Sequence, residues 1–464
     1  MAGPARRSTA VASGVVVALV ASLLGWFALR SEGAVVHQAD LWDGGIWVTN
    51  SADASFGRVN KAIGQLDAGV AIDVAPGSSL DMLQDGASVV GVSRTTGELR
   101  PIDPQLARLG PVAATVPGGA RATGLEYYVP LGVDLHGGTI AVVDPSTGKV
   151  WAARLPAGQP VADIPGVGGK PLATVGGVAA VTVDVRGNVH AVSGATGKVV
   201  SIPVVGEGFG KPVTESVGVS AKAVDITAVG TRWVVYDPTK DAVWFQGGDK
   251  PVAGGIQQAA DQSVYAALQQ PGPASNVVAL EGSDAVHVVA LGDGSGGNGG
   301  VKVPDQQTGG GAVSGNAQGL RVTRPVVLGG CVYGAWAGPG KVFYNVNCGK
   351  ADPVPAASIA NPGVAAVRDG VAFRVNRGLI VLNDMDGGSV WDLATQVVKI
   401  DNWDALTPPV SKDDKDKKNK NLINASTRSE PPKAQPDVMR VRPGRTSVLH
   451  VLDNDTDPSG GILA

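Results

Sequence analysis

A chain of 464 residues exceeds one ordinary core and leaves room for two or three domains. Gly (66) and Pro (31) are abundant and only 17% of residues are charged, a balance suited to many short strands joined by tight turns. The net charge is −3 with no basic patch, which excludes an electrostatic footprint for nucleic acid, and His37, His136, His190, His287 and His450 lie too far apart for a metal-ligand spacing.

Residues 9–29, TAVASGVVVALVASLLGWFAL, carry no charge and follow Arg6 and Arg7. A run of about 20 apolar residues spans a hydrocarbon core of about 30 Å as a helix, and preceding arginines favour an inside N-terminus. The alternative is a cleaved signal peptide, whose apolar stretch is shorter, about 7–15 residues, and ends in a small-x-small site that FALRSEGA does not offer. The pattern therefore predicts residues 1–8 in the cytoplasm, a single-pass signal anchor over 9–29, and everything beyond outside the cell membrane.

From residue 34 to 404 one phrase recurs: a run alternating in polarity, a turn, a second apolar run. TIAVVDPSTGKVWAARL (from Thr139) and NVHAVSGATGKVVSIPV (from Asn188) are the clearest copies. Looser ones start at Ile46, Ser88, Arg232, Ser263, Cys331 and Val371. Steps of roughly 40–50 residues match the blade period of a propeller, because a lone four-stranded blade cannot bury both faces and stacking blades radially does so. The expected fold is all-β, a propeller of seven or eight blades. The step from Arg232 to Ser263 is short and the step from Ser263 to Cys331 long. A Gly-rich insertion, residues 291–315, is the expected cause. Cys331 and Cys348 flank one predicted hairpin and lack further metal ligands or a CxxC spacing, so a structural disulfide in an oxidising compartment is expected.

Residues 405–437 are rich in Lys, Asp and Pro with few apolar side chains, which predicts a disordered linker. Residues 438–464 begin a new alternating pattern and supply about two strands' worth of chain, too little to stand alone. The phrase VRPGRTSVLHVLDNDTDPSGG resembles the opening of tandem Ig-like or cadherin-like repeats, and with GCVYGAW and DNWD the whole order resembles a family of actinobacterial surface proteins carrying Ig-like and fibronectin type III repeats. The resemblance implies an anchored extracellular protein, structural or adhesive, with an incomplete sandwich domain at the end of this chain and no catalytic residues to carry over.

Three other motifs were weighed. Asp453, Asp455 and Asp457 alternate as calcium ligands do, yet Pro458 and Ala464 stand where an EF-hand needs Gly and Glu, which leaves interdomain calcium or an Asx-rich turn. GDGSGG (292–297) lacks the helix a phosphate loop needs. The turns RTTGEL, PSTGKV and GATGKV resemble those of pyrroloquinoline-quinone dehydrogenases, but only Trp151 supplies the expected tryptophan, so they read as hairpin turns with left-handed Gly. Neither a GxSxG elbow nor an assembled Ser/His/Asp set is legible. Trp47, Trp233, Trp244 and Trp336 fall in predicted strands, packing between blades or lining a glycan face. The expectation is a non-enzymatic membrane protein without cofactor, whose propeller binds an envelope protein or polysaccharide; the alternative is a propeller enzyme of the quinoprotein type.

Overall fold

The computed structural model describes residues 45–406, apart from 76, 118–131, 156–160, 162–163, 165–166, 168, 257–265, 283–284, 293–320, 350–355, 362–368 and 394–395. The expected anchor, nearly all of the linker, the sandwich start and Asp453, Asp455 and Asp457 lie outside the described residues, as does most of the Gly-rich insertion. No helix among the described residues is long and apolar enough to cross a membrane.

Eight antiparallel sheets follow one another along the described chain: blade 1 (45–71), blade 2 (80–115), blade 3 (133–174), blade 4 (179–216), blade 5 (225–253), blade 6 (266–290), blade 7 (321–360) and blade 8 (371–400). Blade 4 carries an additional two-stranded hairpin, Val204–Val205 with Gly208–Phe209. Strands such as Thr139–Val143 and Ala179–Val183 are buried along their whole length, so the alternation in polarity expected of the phrase does not hold in them, because both of their faces pack on neighbouring blades. Successive side chains face opposite neighbours. In blade 4, Val181, Val189 and Val200 pack on Ala141, Val143 and Val150 of blade 3, while Ala180, Val192 and Val199 pack on Ile226, Trp233 and Val235 of blade 5. Trp47, Trp233 and Trp336 are fully buried between blades, and the ring of Trp244 covers Gly218.

The uneven repeat spacing has a different cause from the one expected. The copies at Ile46, Ser88, Thr139, Asn188, Arg232 and Cys331 mark second strands of blades, whereas the other two fall on the inner strands Ala266–Leu268 of blade 6 and Val371–Asn376 of blade 8. Counted on second strands alone (Gly45, Ser88, Thr139, Val189, Arg232, Val277, Cys331, Leu379), the steps run from 43 to 54 residues. Inner and second strands are equally apolar, so the phrase alone could not tell them apart.

The turns that follow the inner strands define a lower face and touch one another around the axis. The Gly138 N–H donates to Asp85 (2.9 Å), Val185 N–H to the Gly230 carbonyl (3.3 Å) and Gly230 N–H to the Gly272 carbonyl (2.9 Å). Gly86 N–H donates to Asn376 Oδ1 (3.1 Å), joining blade 8 to blade 2.

Blade 1 departs from this plan. The Gly45 carbonyl, at the start of its first described strand, accepts from Asn376 Nδ2 (2.7 Å) and Gln84 Nε2 (3.1 Å) on the lower face. Ser51, just past the strand's end, meets Leu80 on the upper face. Strand Gly45–Asn50 thus runs against the inner strands of blades 2 and 8 and takes the second-strand position. Its inward edge is closed by amide side chains: Trp47 N–H donates to Gln84 Oε1 (2.9 Å), Thr49 N–H to Asn383 Oδ1 (2.9 Å), and Asn383 Nδ2 to the Thr49 carbonyl (3.0 Å). A bare strand edge invites pairing with another chain; here carboxamides do the pairing.

The DNWD phrase fastens blade 8 to blade 1. Asn402 Oδ1 accepts from Leu66 N–H (2.8 Å) and Asn402 Nδ2 donates to the Leu66 carbonyl (3.0 Å), so one side chain reproduces both halves of a strand contact. The Trp403 indole N–H donates to the Gly388 carbonyl (2.8 Å), and its ring lies so close to Gly57 that a Cβ there would sit 2.7 Å away. The short 3-10 turn Trp403–Leu406 ends with Leu406 buried, two residues past the boundary expected from composition. The disulfide Cys331–Cys348 joins the two ends of the hairpin Cys331–Gly338 and Lys341–Asn347, as expected. Asn402→Ala should lower the unfolding free energy by about 1–3 kcal/mol, since Leu66 loses both partners. The exposed Asp404→Ala should stay within about 0.5 kcal/mol. Urea titrations of the two variants measure the difference.

Candidate binding mouth at the upper end of the propeller axis

Three inner strands carry an aspartate at or near their start: Asp81, Asp134 and Asp225. Each accepts the N–H of the next residue, from Met82 (2.8 Å), Leu135 (2.9 Å) and Ile226 (2.8 Å), which turns the second oxygen outward from its own strand. Asp134 Oδ2 then takes Val183 N–H (2.7 Å) and the Thr182 hydroxyl (3.0 Å) of blade 4, and Asp225 Oδ2 takes Leu268 N–H (2.8 Å) of blade 6. The carboxylates stitch blade to blade.

Two arginines extend the stitching. Arg374 of blade 8 donates Nη1 to Asp81 Oδ1 (2.7 Å) and to the Met82 carbonyl (2.9 Å) of blade 2, bridging across the axial side of blade 1. Arg324 stands where the inner edge of blade 7 breaks between Arg321–Val322 and Val326–Leu328. It donates to the Leu268 and Ile226 carbonyls (3.1 and 2.9 Å) and pairs with Asp225 (3.3 Å). Burial opposes the charge on Asp81, but Arg374, Arg94 and the hydrogen bonds prevail and hold its carboxyl below the usual range. For Asp225 burial wins over Arg324 and pushes the carboxyl up. These axial charges are engaged with one another.

The upper mouth between blades 2 and 8 is different. Ser79 precedes the inner strand of blade 2, Arg94 follows its second strand, Asp369 precedes the inner strand of blade 8 and Asp386 sits in that blade's upper turn. The Ser79 hydroxyl donates to Asp369 Oδ1 (2.5 Å), and Asp369 N–H donates to the Asp386 carboxylate (3.1 and 3.2 Å). Arg94 Nη1 lies 4.0 Å from Asp369 Oδ1. Two buried polar atoms there make no hydrogen bond: Asp369 Oδ2 and Arg94 Nε. The latter stands 3.5 Å from Asp81 Oδ2, within ion-pair range but too long to count as a hydrogen bond. The two side chains are 10% and 11% exposed. Burial, helped by the nearby Asp386 and Asp81, raises the Asp369 carboxyl against the opposing pull of Ser79 and Arg94. Buried polar atoms are almost always paired, so an acceptor and a donor without hydrogen bonds set this end of the axis apart from the groups below it.

The three TG turns also lie on the upper face, joining second to third strands. Their glycines are left-handed as expected, with φ of 76° at Gly97, 70° at Gly148 and 63° at Gly197. Against the effect of burial, hydrogen bonds from Ser146 and Thr147 draw the Asp144 carboxyl down to about 2.

A Ser/His/Asp set that was not legible in the sequence does exist. His190 Nδ1 meets Ser201 Oγ at 2.9 Å and its Nε2 meets Asp184 Oδ2 at 3.4 Å. His190 and Ser201 are cross-strand partners, and Asp184 opens the preceding turn. Ser201, however, lies within a strand paired on both sides, not on a sharp nucleophile turn. Asp184 also holds Arg186 N–H, Asn188 N–H and Asn188 Nδ2. The set pins the lower turn of blade 4 to its sheet. Among the described residues, no group of three or more His, Cys, Asp and Glu is placed to hold a metal ion.

The chain matches no known family model and no curated protein. Solved structures similar to it include BamB from Moraxella catarrhalis (16% identity, 76% of this chain and 92% of that one, TM-score 0.39). They also include virginiamycin B lyase from Staphylococcus aureus (10%, 67% and 93%, TM-score 0.39) and the dihydro-heme d1 dehydrogenase NirN (12%, 77% and 72%, TM-score 0.45). At these identities and scores the likeness bears on neither chemistry nor partners.

Two buried acids make opposite predictions. Arg374→Met removes the closer of the two guanidinium groups at Asp81, leaving only Arg94 at 3.5 Å, and should cost about 3 kcal/mol; adding Asp81→Asn should recover part of the loss in a double-mutant cycle. Glu281 of blade 6 is wholly buried and accepts Thr323 N–H (3.0 Å) and Ala335 N–H (3.1 Å) of blade 7. Burial raises its carboxyl well above the ordinary 4.5 in spite of those bonds. A raised folded-state value means the protonated form is favoured in the fold. Its stabilisation is full below the ordinary value and is lost as pH rises through the raised one. Glu281→Gln should therefore flatten the fall in stability as pH rises above the ordinary value of 4.5, read from denaturant midpoints at successive pH values.

Proposed function

We propose that this chain is a membrane-anchored, exported propeller that binds an envelope ligand through its upper mouth. The observation that carries the reading is that Asp369 Oδ2 and Arg94 Nε, on two buried side chains of opposite charge, make no hydrogen bond, Arg94 Nε having only the ion-pair contact of 3.5 Å with Asp81. A single hydroxyl can donate to the carboxylate while accepting from the guanidinium. That chemistry favours a hydroxyl-rich polysaccharide over a protein side chain of one charge. The uncharged run at residues 9–29 and the Cys331–Cys348 disulfide support an anchored protein outside the reducing cytosol. The second reading, a quinoprotein-type enzyme, draws on the repeated TG turns of the upper face.

Full-length protein in detergent should bind one class of envelope glycan on an array, and Asp369→Asn and Arg94→Gln should each weaken that binding about tenfold, the value of one hydrogen bond. Binding unchanged in both variants would remove the mouth from the reading. Dye reduction with alcohols or sugars, dependent on added quinone and calcium, would replace it with the enzyme.

A further inference from the structure

The two-residue turns of the lower face share a first residue, with one exception among the described ones. In blades 2, 3, 5 and 7 it is glycine (Gly86, Gly137, Gly230 and Gly329), with φ between 54° and 63°. In blade 8 it is Arg377, at φ 47°, followed by Gly378 at 84°. A left-handed first position favours Gly, Asn or Asp, so a long cation there runs against local preference. Such departures collect where a side chain has a task. Arg377 is exposed, and its guanidinium makes no hydrogen bond or ion pair among the described residues.

Touching residues carry a line of positive charge from there to blade 4. A Cβ on Gly86 of blade 2 would lie 3.4 Å from Arg377 Nε and Nη2. Asp85, beside Gly86, holds the Gly138 N–H of blade 3. Arg154 Nη1 donates to the Gly137 carbonyl (2.9 Å). Its guanidinium lies against Gly138 and, across the joint, against Gly187 of blade 4, where a Cβ would collide with it. Arg186, next to Gly187, is exposed and has no side-chain partner among the described residues, and half-buried His136 adjoins Gly137. Two acids stand on this arc. Asp85 is half-buried with one oxygen on Gly138, and Asp184 is wholly buried on the N–H groups of its own turn and on Asn188. The three arginines come from blades 3, 4 and 8, so no basic patch is legible in the sequence.

We propose that the arc Arg377–Arg154–Arg186 binds successive phosphodiester groups of an anionic envelope polymer. A guanidinium presents a planar fork that matches two phosphate oxygens, and the glycine turns between the forks let a ligand chain approach the backbone closely. Cations on three blades suit a repeating anion better than a single phosphate. Val185 is the one exposed large apolar side chain on the arc, too little to enter a bilayer. No aromatic side chain among the described residues is exposed, so nucleic-acid bases find no platform to stack on. The site is separate from the upper mouth; only the source of the polymer rests on the exported reading, and the phosphate chemistry stands on the arc itself.

The test titrates full-length protein in detergent with fluorescently labelled synthetic poly(glycerol phosphate), and reads anisotropy. Neutral dextran and a single-stranded oligonucleotide of equal charge serve as the other arms. Poly(glycerol phosphate) should bind and dextran should not. Binding should weaken about 20-fold when salt rises from about 0.05 M to about 0.2 M, the dependence for three neutralised phosphates on a flexible strand. Arg377→Gln and Arg186→Gln should each weaken it about fivefold, roughly the worth of one hydrogen bond, with denaturant midpoints unchanged because both side chains are exposed. Lys149→Gln, exposed on the upper face, should bind as the parent does. Unchanged binding in both arginine variants would overturn the site, as would an equal loss in Lys149→Gln, which spreads the attraction over the whole surface. Tighter binding of the oligonucleotide would reassign the arc to nucleic acid, and equal binding of dextran would remove the phosphate from it.

Discussion

Ring closure is the constraint on which the other features depend. Each blade buries one face on the blade before it and the other on the blade after, so an open ring would leave two apolar sheet faces in water. Closing a sheet on itself or repeating it around an axis removes that exposure, but only if the last joint holds. Here the joint lies between blades 8 and 1, and it is made by side chains. Val381, Val390 and Ile400 pack against Ile46, Val48 and Leu66, and Asn383, Asn376, Gln84 and Asn402 supply the hydrogen bonds that a neighbouring strand ordinarily provides. Carboxamides suit this task because each offers a donor and an acceptor in one plane, as a peptide group does.

The same constraint explains the charges along the axis. Arg374 reaches from blade 8 to blade 2 over the axial side of blade 1, and Asp81 is its counterpart. A buried pair of this kind adds little net stability over an apolar replacement, although breaking it is costly. Its consequence here is geometric: it sets the spacing of blades 8 and 2, and with it the separation of Ser79 and Arg94 from Asp369. The candidate mouth is thus a by-product of how the ring closes, and its two atoms without hydrogen bonds stand beside that closing pair.

Sequence reasoning reached the all-β class, the repeat and the Cys331–Cys348 pairing because each has a local signature: period, turn residues, or ends of one hairpin. It did not reach the blade count, since an inner strand such as Ala266–Leu268 and a second strand such as Thr139–Val143 are buried on both faces and leave no alternation to separate them. DNWD was noticed only as a phrase; that Asn402 pairs with Leu66 depends on a separation of 336 residues, which no window detects. The recurrence of aspartate near the start of inner strands, at Asp81, Asp134 and Asp225, was readable in principle once those strands were known. Asp369 and Arg94 were not: their meaning lies in what fails to pair with them, a property of assembled blades.

A propeller has two ends, and its strand directions give them unequal roles. All described inner strands run the same way, so upper turns join second to third strands, and lower turns join first to second and third to fourth. The upper turns of blades 2, 3 and 4 are short and built on Thr-Gly pairs, with hydroxyls folded back on the turn, as Thr96 does to Ser93 and Thr147 to Asp144. The outer lower turns vary in length and carry the exposed apolar side chains, and the chain enters on that side. The direction of strand Gly45–Asn50, reversed relative to the inner strands, places Gly45 on the lower face and Ser51 on the upper, which is how blade 1 fills a second-strand position without an inner strand among the described residues.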